Sequence, residues 1–227
     1  SSVIPAKAGI HSGASDPDLV AHWNFESTHN YATEANISLL LHADGASISD
    51  SSPQNHTITA NGGLASSSTK SKFGEKSMVF DGTDDYATIT SSSSIGIDTS
   101  DFTVDFWVNF NNITNDQYLF DHKVDASNFW NMYLRGSDGA LVTNMSNGGV
   151  AIIDSVTASG ISASTWHHIA FTRKGNDFYL FIDGTQKWTI NNSADMPLAA
   201  QLYIGSLSTP GSYLNGYLDE VRMMKGG

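Results

Sequence analysis

The nine residues "FTVDFWVNF" at 102–110 alternate without a break. Phe102, Val104, Phe106, Val108 and Phe110 fall on one side, and Thr103, Asp105, Trp107 and Asn109 on the other. A period of two is the signature of a strand with one buried face, because successive side chains point to opposite sides of the backbone. The pattern returns in "DFYLFIDG", with Phe178, Leu180 and Ile182 set against Tyr179, Phe181 and Asp183. It returns again in "WHHIAFTR", where Ile169 and Phe171 oppose Trp166, His168 and Ala170. Nowhere do apolar residues repeat at i, i+3, i+4 and i+7 over three turns, so helix is limited to a turn or two. Strands are expected near 77–81, 85–90, 102–110, 117–121, 129–135, 140–145, 150–154, 166–173, 177–183, 186–190, 201–205 and 216–223. The segments "SDG" (137–139), "KGND" (174–177) and "IDGTQ" (182–186) carry hairpin chemistry. The fold class that follows is all-β, a two-sheet antiparallel sandwich.

Composition narrows the function. The chain has 227 residues, a length that β sandwiches reach undivided. Residues 1–17 are small and polar and read as an arm or linker, and 18–227 as one domain. Two pieces compete for the first strand, "LVAHWNFES" (19–27) and "ISLLLHADGAS" (37–47), and the second leads directly into the next turn. A net charge of −12 without any basic block argues against nucleic acid, since nothing would offset phosphate repulsion. There is no cysteine, which excludes disulfides and thiolate metal sites. No apolar run approaches the ~18 residues of a helical membrane span, so no membrane insertion is expected.

Enzymatic chemistry finds few footholds. Glycoside hydrolysis needs two carboxylates facing the scissile bond, and the only glutamates are Glu26, Glu34, Glu75 and Glu220. No G-x-S-x-G elbow occurs. His167 and His168 are adjacent, so on a strand they face opposite ways and cannot chelate together; His168 is expected to hydrogen-bond within its sheet. The reading is a non-enzyme.

Two acidic corners stand out. In "SMVFDGTDDYATI" (77–89), Asp81 to Asp85 carry the chemistry of a tight turn, which on the residues alone is either a hairpin or a cation site. In "GYLDEVRMM" the core candidates Leu218 and Val221 stand three apart, which a bulge at Asp219-Glu220 would reconcile.

Six segments in order, "LLLHADG…DSS…HTIT", "KFGEKSMVFDGTDDYATI", "DFTVDFWVNF", "TWHHIAFTRKGNDFYLFIDGTQ", "LYIG" and "YLNGYLDEVRMMKG", together resemble the laminin-G-like jelly rolls of the concanavalin A-like superfamily. The versions they are most similar to occur in bacteriophage tail and surface proteins and in bacterial surface proteins. The resemblance spans about residues 37 to 225. It implies two curved antiparallel sheets, often a structural Ca2+ tying the first strand to the last, and frequently a glycan site on the concave sheet or its rim loops. It also implies that Asp81-Gly82 closes a hairpin with Asp84 and Asp85 at its exposed end, the turn being preferred to a cation site there. Matched to the family's motifs, the metal ligands would be Asp44, Asp219 and then Asp50. Sugar binding needs an aromatic plane for the C–H face and planar polar groups for the hydroxyls. The pool is Trp107, Tyr133, Trp130, Tyr179, Asp105, Asn109, Asn131 and Arg135. From it Asp105, Trp107, Asn109, Asn131, Tyr133 and Arg135 are taken as the site, with strands 102–110 and 129–135 expected to lie side by side. The function expected is a carbohydrate-binding or adhesion module of an extracellular, cell-surface or virion protein, with a glycan or polysaccharide as partner. The alternative is a structural or decoration domain that contacts other subunits of a virion or surface assembly and binds no sugar.

Overall fold

Alternation becomes strand at nearly every place the sequence marks it. The computed structural model describes residues 36–195 and 200–226. In chain order the strands are β1 (Ile37–His42), β2 (Ser49–Asp50), β3 (Ile58–Asn61), β4 (Ala65–Ser67), β5 (Ser77–Asp81), β6 (Tyr86–Ile89), β7 (Phe102–Phe110) and β8 (Gln117–Asp125). There follow β9 (Asn128–Arg135), β10 (Ala140–Asn147), β11 (Val150–Thr157), β12 (Trp166–Lys174), β13 (Asp177–Ile182), β14 (Thr185–Asn191), β15 (Leu202–Ile204) and β16 (Asn215–Lys225). The candidate strand at 19–27 and the arm at 1–17 lie outside the described residues.

The strands form two antiparallel sheets. One has nine strands, in the order β14-β13-β12-β7-β16-β1-β2, with β5 also on β16 and β4 beyond it. The other has seven, in the order β11-β10-β9-β8-β15-β6-β3. The inner faces meet in a single large core. Phe106 of the first sheet packs on Phe120 of the second at 4.9 Å between ring centroids, and Trp130 meets Phe171 at 6.2 Å. All four rings are fully buried, and burying a side chain of this size contributes roughly 1.5–3 kcal/mol.

Long β16 shows how the sheet is sewn together. Its first half, Asn215 to Leu218, pairs with β5, and its second half, Val221 to Met224, pairs with β1. Between them the register against β7 slips by one residue, so that Asp219 faces Trp107 and Arg222 faces Asp105. This is the bulge expected at Asp219-Glu220, with Glu220 at φ 50°. Leu218 and Val221 both reach the core in consequence.

The turn at Asp81-Gly82 is a correction. It does not close a hairpin: β5 pairs with β4 and β16 in one sheet, while β6 pairs with β3 and β15 in the other. The segment is a corner carrying the chain between sheets. Asp81 Oδ1 accepts the Thr83 N–H at 2.7 Å, and Asp85 Oδ2 accepts the Asp81 N–H at 2.9 Å. Local chemistry identified a turn correctly; which sheet the next strand joins is a non-local matter.

Candidate functional site

The outer face of the nine-stranded sheet carries the first half of the expected sugar pool, and that face is occupied. Asp105 is buried against Arg222, which donates from Nε at 3.0 Å and Nη2 at 2.8 Å. Asn109 is buried and accepts from the Lys70 ammonium at 3.2 Å. Trp107 lies under a strap formed by residues 70–76. The Lys72 ammonium sits 4.0 Å from its ring centroid, Phe73 meets it edge-on at 5.8 Å, and His168 packs beside it at 5.0 Å. His168 Nε2 stands 3.5 Å from Asp105 Oδ1, a buried oxygen without a hydrogen-bond partner. None of the three expected ligands on this strand presents an open surface.

Two carboxylates hold that strap. Asp219 Oδ2 accepts the backbone N–H groups of Lys72 and Phe73 at 2.7 and 3.1 Å. Asp44 Oδ1 accepts those of Glu75 and Lys76 at 2.7 and 2.8 Å. Gly74 between them has φ 58°, and a side chain there would collide with the Asp44 carboxylate. Burial pushes the Asp219 carboxyl up to about 7, with Glu220 and Asp44 raising it further against the two N–H bonds. Glu220 takes His42 Nδ1 at 2.9 Å through Oε1, while its buried Oε2 has no partner. Burial of His42 works against its proton, but the bond to Glu220 and the surrounding carboxylates prevail and raise its pKa. The structure therefore brings Asp44 and Asp219 to one strap and adds His42 and Glu220. Asp50 is taken up elsewhere: its oxygens accept from the Leu40, Ser52 and His56 N–H groups and the Ser52 hydroxyl. A separate trio, Asp81, Asp84 and Asp85, brings carboxylate oxygens within 4.8 Å of one another, but Asp81 and Asp85 are engaged in building the inter-sheet corner.

The second half of the pool lies in the other sheet. Strands β7 and β9 are not neighbours: β7 pairs with β12 and β16, and β9 with β8 and β10. The expected patch joining Asp105 and Trp107 to Asn131 and Tyr133 is therefore divided between opposite outer surfaces. Trp130, Met132 and Leu134 enter the core, so Asn131, Tyr133 and Arg135 face outward from the seven-stranded sheet. Arg135 forks onto Asp138 at 3.0 and 2.6 Å and braces the β9–β10 turn.

On that face Tyr133 stands opposite Tyr118, and their rings stack at 4.6 Å and 12°. Burial pushes the Tyr118 hydroxyl up to about 12, aided by Tyr133 and nearby carboxylates, so it remains a neutral donor. The next register row crosses five strands as Asp154, Asn144, Asn131, Asp121 and Tyr203. With its amide turned to satisfy both ends, Asn144 donates to Asp154 Oδ1 at 3.3 Å. Asp121 Oδ1 and Asn131 Oδ1 are both buried acceptors without a donor. A loop at 206–213 lies along β8, its Ser208 N–H bonded to Asp121 Oδ2 at 2.7 Å and its Ser212 carbonyl accepting the Tyr118 N–H at 2.9 Å. An open depression of about 440 Å³ lies at one end of this loop, lined in part by Lys123, Gln201, Tyr203 and Ser208. A smaller one of about 150 Å³ lies at the other end, beside Asp116 and Tyr213.

Tyr118, Asp121 and Asn144 escaped the sequence reading. A register shift between Tyr118 and Phe120 breaks the alternation of β8, so Tyr118 and Asp121 share a face at a spacing of three. The amide-rich outward row of β9 and β10 was the available signal, visible in Asn131 and Asn144 thirteen residues apart around the "SDG" turn.

A family model described as the concanavalin A-like lectin/glucanases superfamily matches residues 81–226. No curated protein matches the sequence. Among solved structures, domain 4 of AbnA, a GH43 extracellular arabinanase from Geobacillus stearothermophilus in complex with arabinotriose, aligns at 22% identity and TM-score 0.70, covering 85% of this chain and 94% of that one. The binding domain of Paraclostridial Mosquitocidal Protein 1 aligns at 19% identity and TM-score 0.68, over 85% of this chain and 49% of that one. A structure of botulinum neurotoxin type C, whose cell entry depends on interaction with two ganglioside molecules, aligns at 12% identity and TM-score 0.64, over 83% and 47%. The chain thus spans about half the length of the toxin chains it matches. At these identities the likeness establishes the fold.

Proposed function

The chain belongs to the concanavalin A-like lectin/glucanases superfamily, and from that premise we propose that it is a non-catalytic saccharide-binding module whose site is the outer face of its seven-stranded sheet. The observation that carries this reading is the half-buried Tyr118–Tyr133 stack beside a row of amides and carboxylates. Stacked rings give a sugar's C–H face an apolar contact, and planar amides and carboxylates pair with its hydroxyls. The arabinotriose complex of the arabinanase domain and the ganglioside dependence of the toxin support the same class of ligand. A module of this kind serves an extracellular, cell-surface or virion protein by holding it to polysaccharide or to a glycosylated surface.

The proposal includes a structural Ca2+ at the strap. Asp44, Asp219 and Glu220 offer hard oxygen donors of the kind calcium takes, and the unpartnered buried Glu220 Oε2 is the acceptor such an ion would satisfy. The three do not already bring their oxygens within 4.8 Å of one another, as Asp81, Asp84 and Asp85 do, so the ion would have to draw the strap carboxylates together. Asp50 is not part of this set. Bound calcium would neutralise the crowded carboxylates and fasten the strap to β1 and β16.

A second reading, attachment to another protein subunit, draws on Val150 and Val156 of edge strand β11, which are 69% and 51% exposed. A glycan array run with wild type, Tyr133→Ala and Trp107→Ala separates the two. Binding lost in the Tyr133 variant and kept in the Trp107 variant is the expected result. Absence of glycan retention by wild type, together with capture of a subunit partner that a Val150→Asp, Val156→Asp variant no longer holds, would transfer the function to the edge.

A further inference from the structure

The smaller depression at the start of β8 differs from the rest of the surface in how its floor and rim are treated. Its floor is locked. Gln117, buried, donates from Nε2 to the Asn112 carbonyl at 2.7 Å and accepts the Asn215 N–H at 2.8 Å. Asn215 Oδ1 in turn accepts from the Asn111 side chain at 2.8 Å. Two glycines close the walls. A side chain at Gly82 (φ 82°) would strike the Asn215 side chain, and one at Gly136 would strike the Asn115 backbone. Gly136 also donates its N–H to Asp116 Oδ1 at 2.8 Å. The Tyr213 ring, which lines the opposite wall, is backed by Tyr86 at 6.3 Å.

The rim is left open. Among the described residues, the Asn115 amide, the Ser212 hydroxyl and the Tyr213 hydroxyl have no protein hydrogen-bond partner, and Asp116 keeps one oxygen free of the Gly136 bond. All four residues line the same concavity of about 150 Å³. Donors and acceptors that converge on a hollow whose floor cannot relax are preorganised for a ligand rich in hydroxyls, because little ordering remains to be done on binding. No lysine, arginine or histidine lines the hollow. With Asp116 present and a net charge of −12 on the chain, a carboxylated or sulfated sugar would be repelled.

We propose that this rim pocket is a second subsite that takes one uncharged sugar residue, so that a neutral oligosaccharide runs from the Tyr118–Tyr133 stack into it. Asp116 stands just before β8, two residues and at most about 7 Å of chain from Tyr118. The Tyr118 N–H bonds to the carbonyl of Ser212, a residue of the pocket lining, so the pocket and the stacked rings are neighbours. Asn115 and Asp116 bind hydroxyls, and Tyr213 supplies the wall against which the ring packs. This inference rests on the saccharide-binding reading above.

The test is calorimetry with arabino-, xylo- and cello-oligosaccharides from mono- to hexasaccharide, on wild type, Asn115→Ala, Tyr213→Ala and Tyr133→Ala. For whichever series wild type binds, affinity should climb with chain length. The Asn115 and Tyr213 variants should lose about tenfold, the equivalent of one good contact, on the long members only. The Tyr133 variant should lose binding at every length. Asn115 is exposed, so its variant keeps the fold even where Tyr213→Ala disturbs the loop, and thermal melts verify this. Asn115→Ala indistinguishable from wild type at every length, with Tyr133→Ala still defective, would remove the rim subsite and leave the proposed function standing. Failure of wild type to bind any series or any array glycan would remove both.

Discussion

His122 holds a single protonation state by its contacts. Its Nδ1 accepts from the Trp130 indole N–H at 3.2 Å, and its Nε2 lies 2.9 Å from the Ala200 carbonyl. An indole can only donate and a carbonyl can only accept, so the ring must be neutral with its proton on Nε2. A second proton would break the Trp130 bond inside the core. Burial accordingly lowers the His122 pKa to about 4, the bond to Ala200 offsetting only part of the effect. Because the folded pKa lies below the ordinary 6.5, the unfolded chain binds more protons between these values, and stability falls as pH falls through that window. Above pH 6.5 the contribution is flat; across the window about 3 kcal/mol is lost. Urea midpoints measured from pH 7.5 to pH 4 should show this slope in wild type and a shallower one in His122→Gln, which begins less stable. Parallel slopes would contradict the assignment. Asp105 makes a different residue-scale case. Removing it leaves the Arg222 guanidinium buried without its carboxylate, so Asp105→Ala should cost about 3–5 kcal/mol. Glycan retention by the surviving folded fraction should be unchanged, and its loss would return the site to the nine-stranded face.

At the scale of elements, alternation told which face of a strand is buried but not which strand lies beside it. That is why "FTVDFWVNF" yields its core residues correctly, while the pairing of β7 with β9 fails: faces are local and partners are not. The same limit explains the corner at Asp81, where turn chemistry was right and the sheet assignment wrong. The bulge at Asp219-Glu220 was legible because a spacing of three between Leu218 and Val221 cannot be met by a regular strand. Its role was not legible, since it depends on β5 and β1 meeting end to end along β16 and on a strap arriving from residues 70–76. There, one residue of the bulge takes the strap's N–H groups and the next takes His42. If calcium completes this cluster, EDTA should lower the melting temperature of wild type, because an ion bound only to the folded state stabilises it by mass action. Glu220→Gln and Asp219→Ala should melt lower than wild type and respond to EDTA weakly or not at all. A wild-type transition unmoved by EDTA and by added Ca2+ would take the ion out of the proposal.

At the scale of the molecule, the two sheets have different outer surfaces, and the proposed saccharide site rests on that difference. One is covered by its strap, with Trp107 capped and Asp105 and Asn109 spent on internal cations. The other is covered only in part: Asp121 and Asn131 are buried, Tyr118, Tyr133 and Asn144 are half-buried and Asp154 is exposed. Concavities of about 440 and 150 Å³ lie at the two ends of the 206–213 loop. Sites that enclose small ligands usually occupy roughly 300–1,000 Å³ and bury most of the ligand, whereas here a saccharide would keep one side in water. Each hydroxyl exchanged from water to protein then contributes little net energy, about 0.5–1.5 kcal/mol per hydrogen bond. A single domain should accordingly bind weakly, with Kd on the order of 10⁻⁴ M. Adhesion by such a face depends on number. Several copies displayed together convert later contacts into intramolecular ones and raise avidity by about 10²–10⁴. Surface plasmon resonance on immobilised polysaccharide should therefore give fast, nearly unresolvable dissociation for the monomer and slow dissociation for a trimerised fusion. The Tyr133→Ala fusion should wash off as quickly as the wild-type monomer, since multiplying an absent contact gains nothing. Tight binding by the monomer alone would mean that the 206–213 loop opens to enclose the ligand, uncovering Asp121 and Asn131, and that the site is deeper than its resting shape.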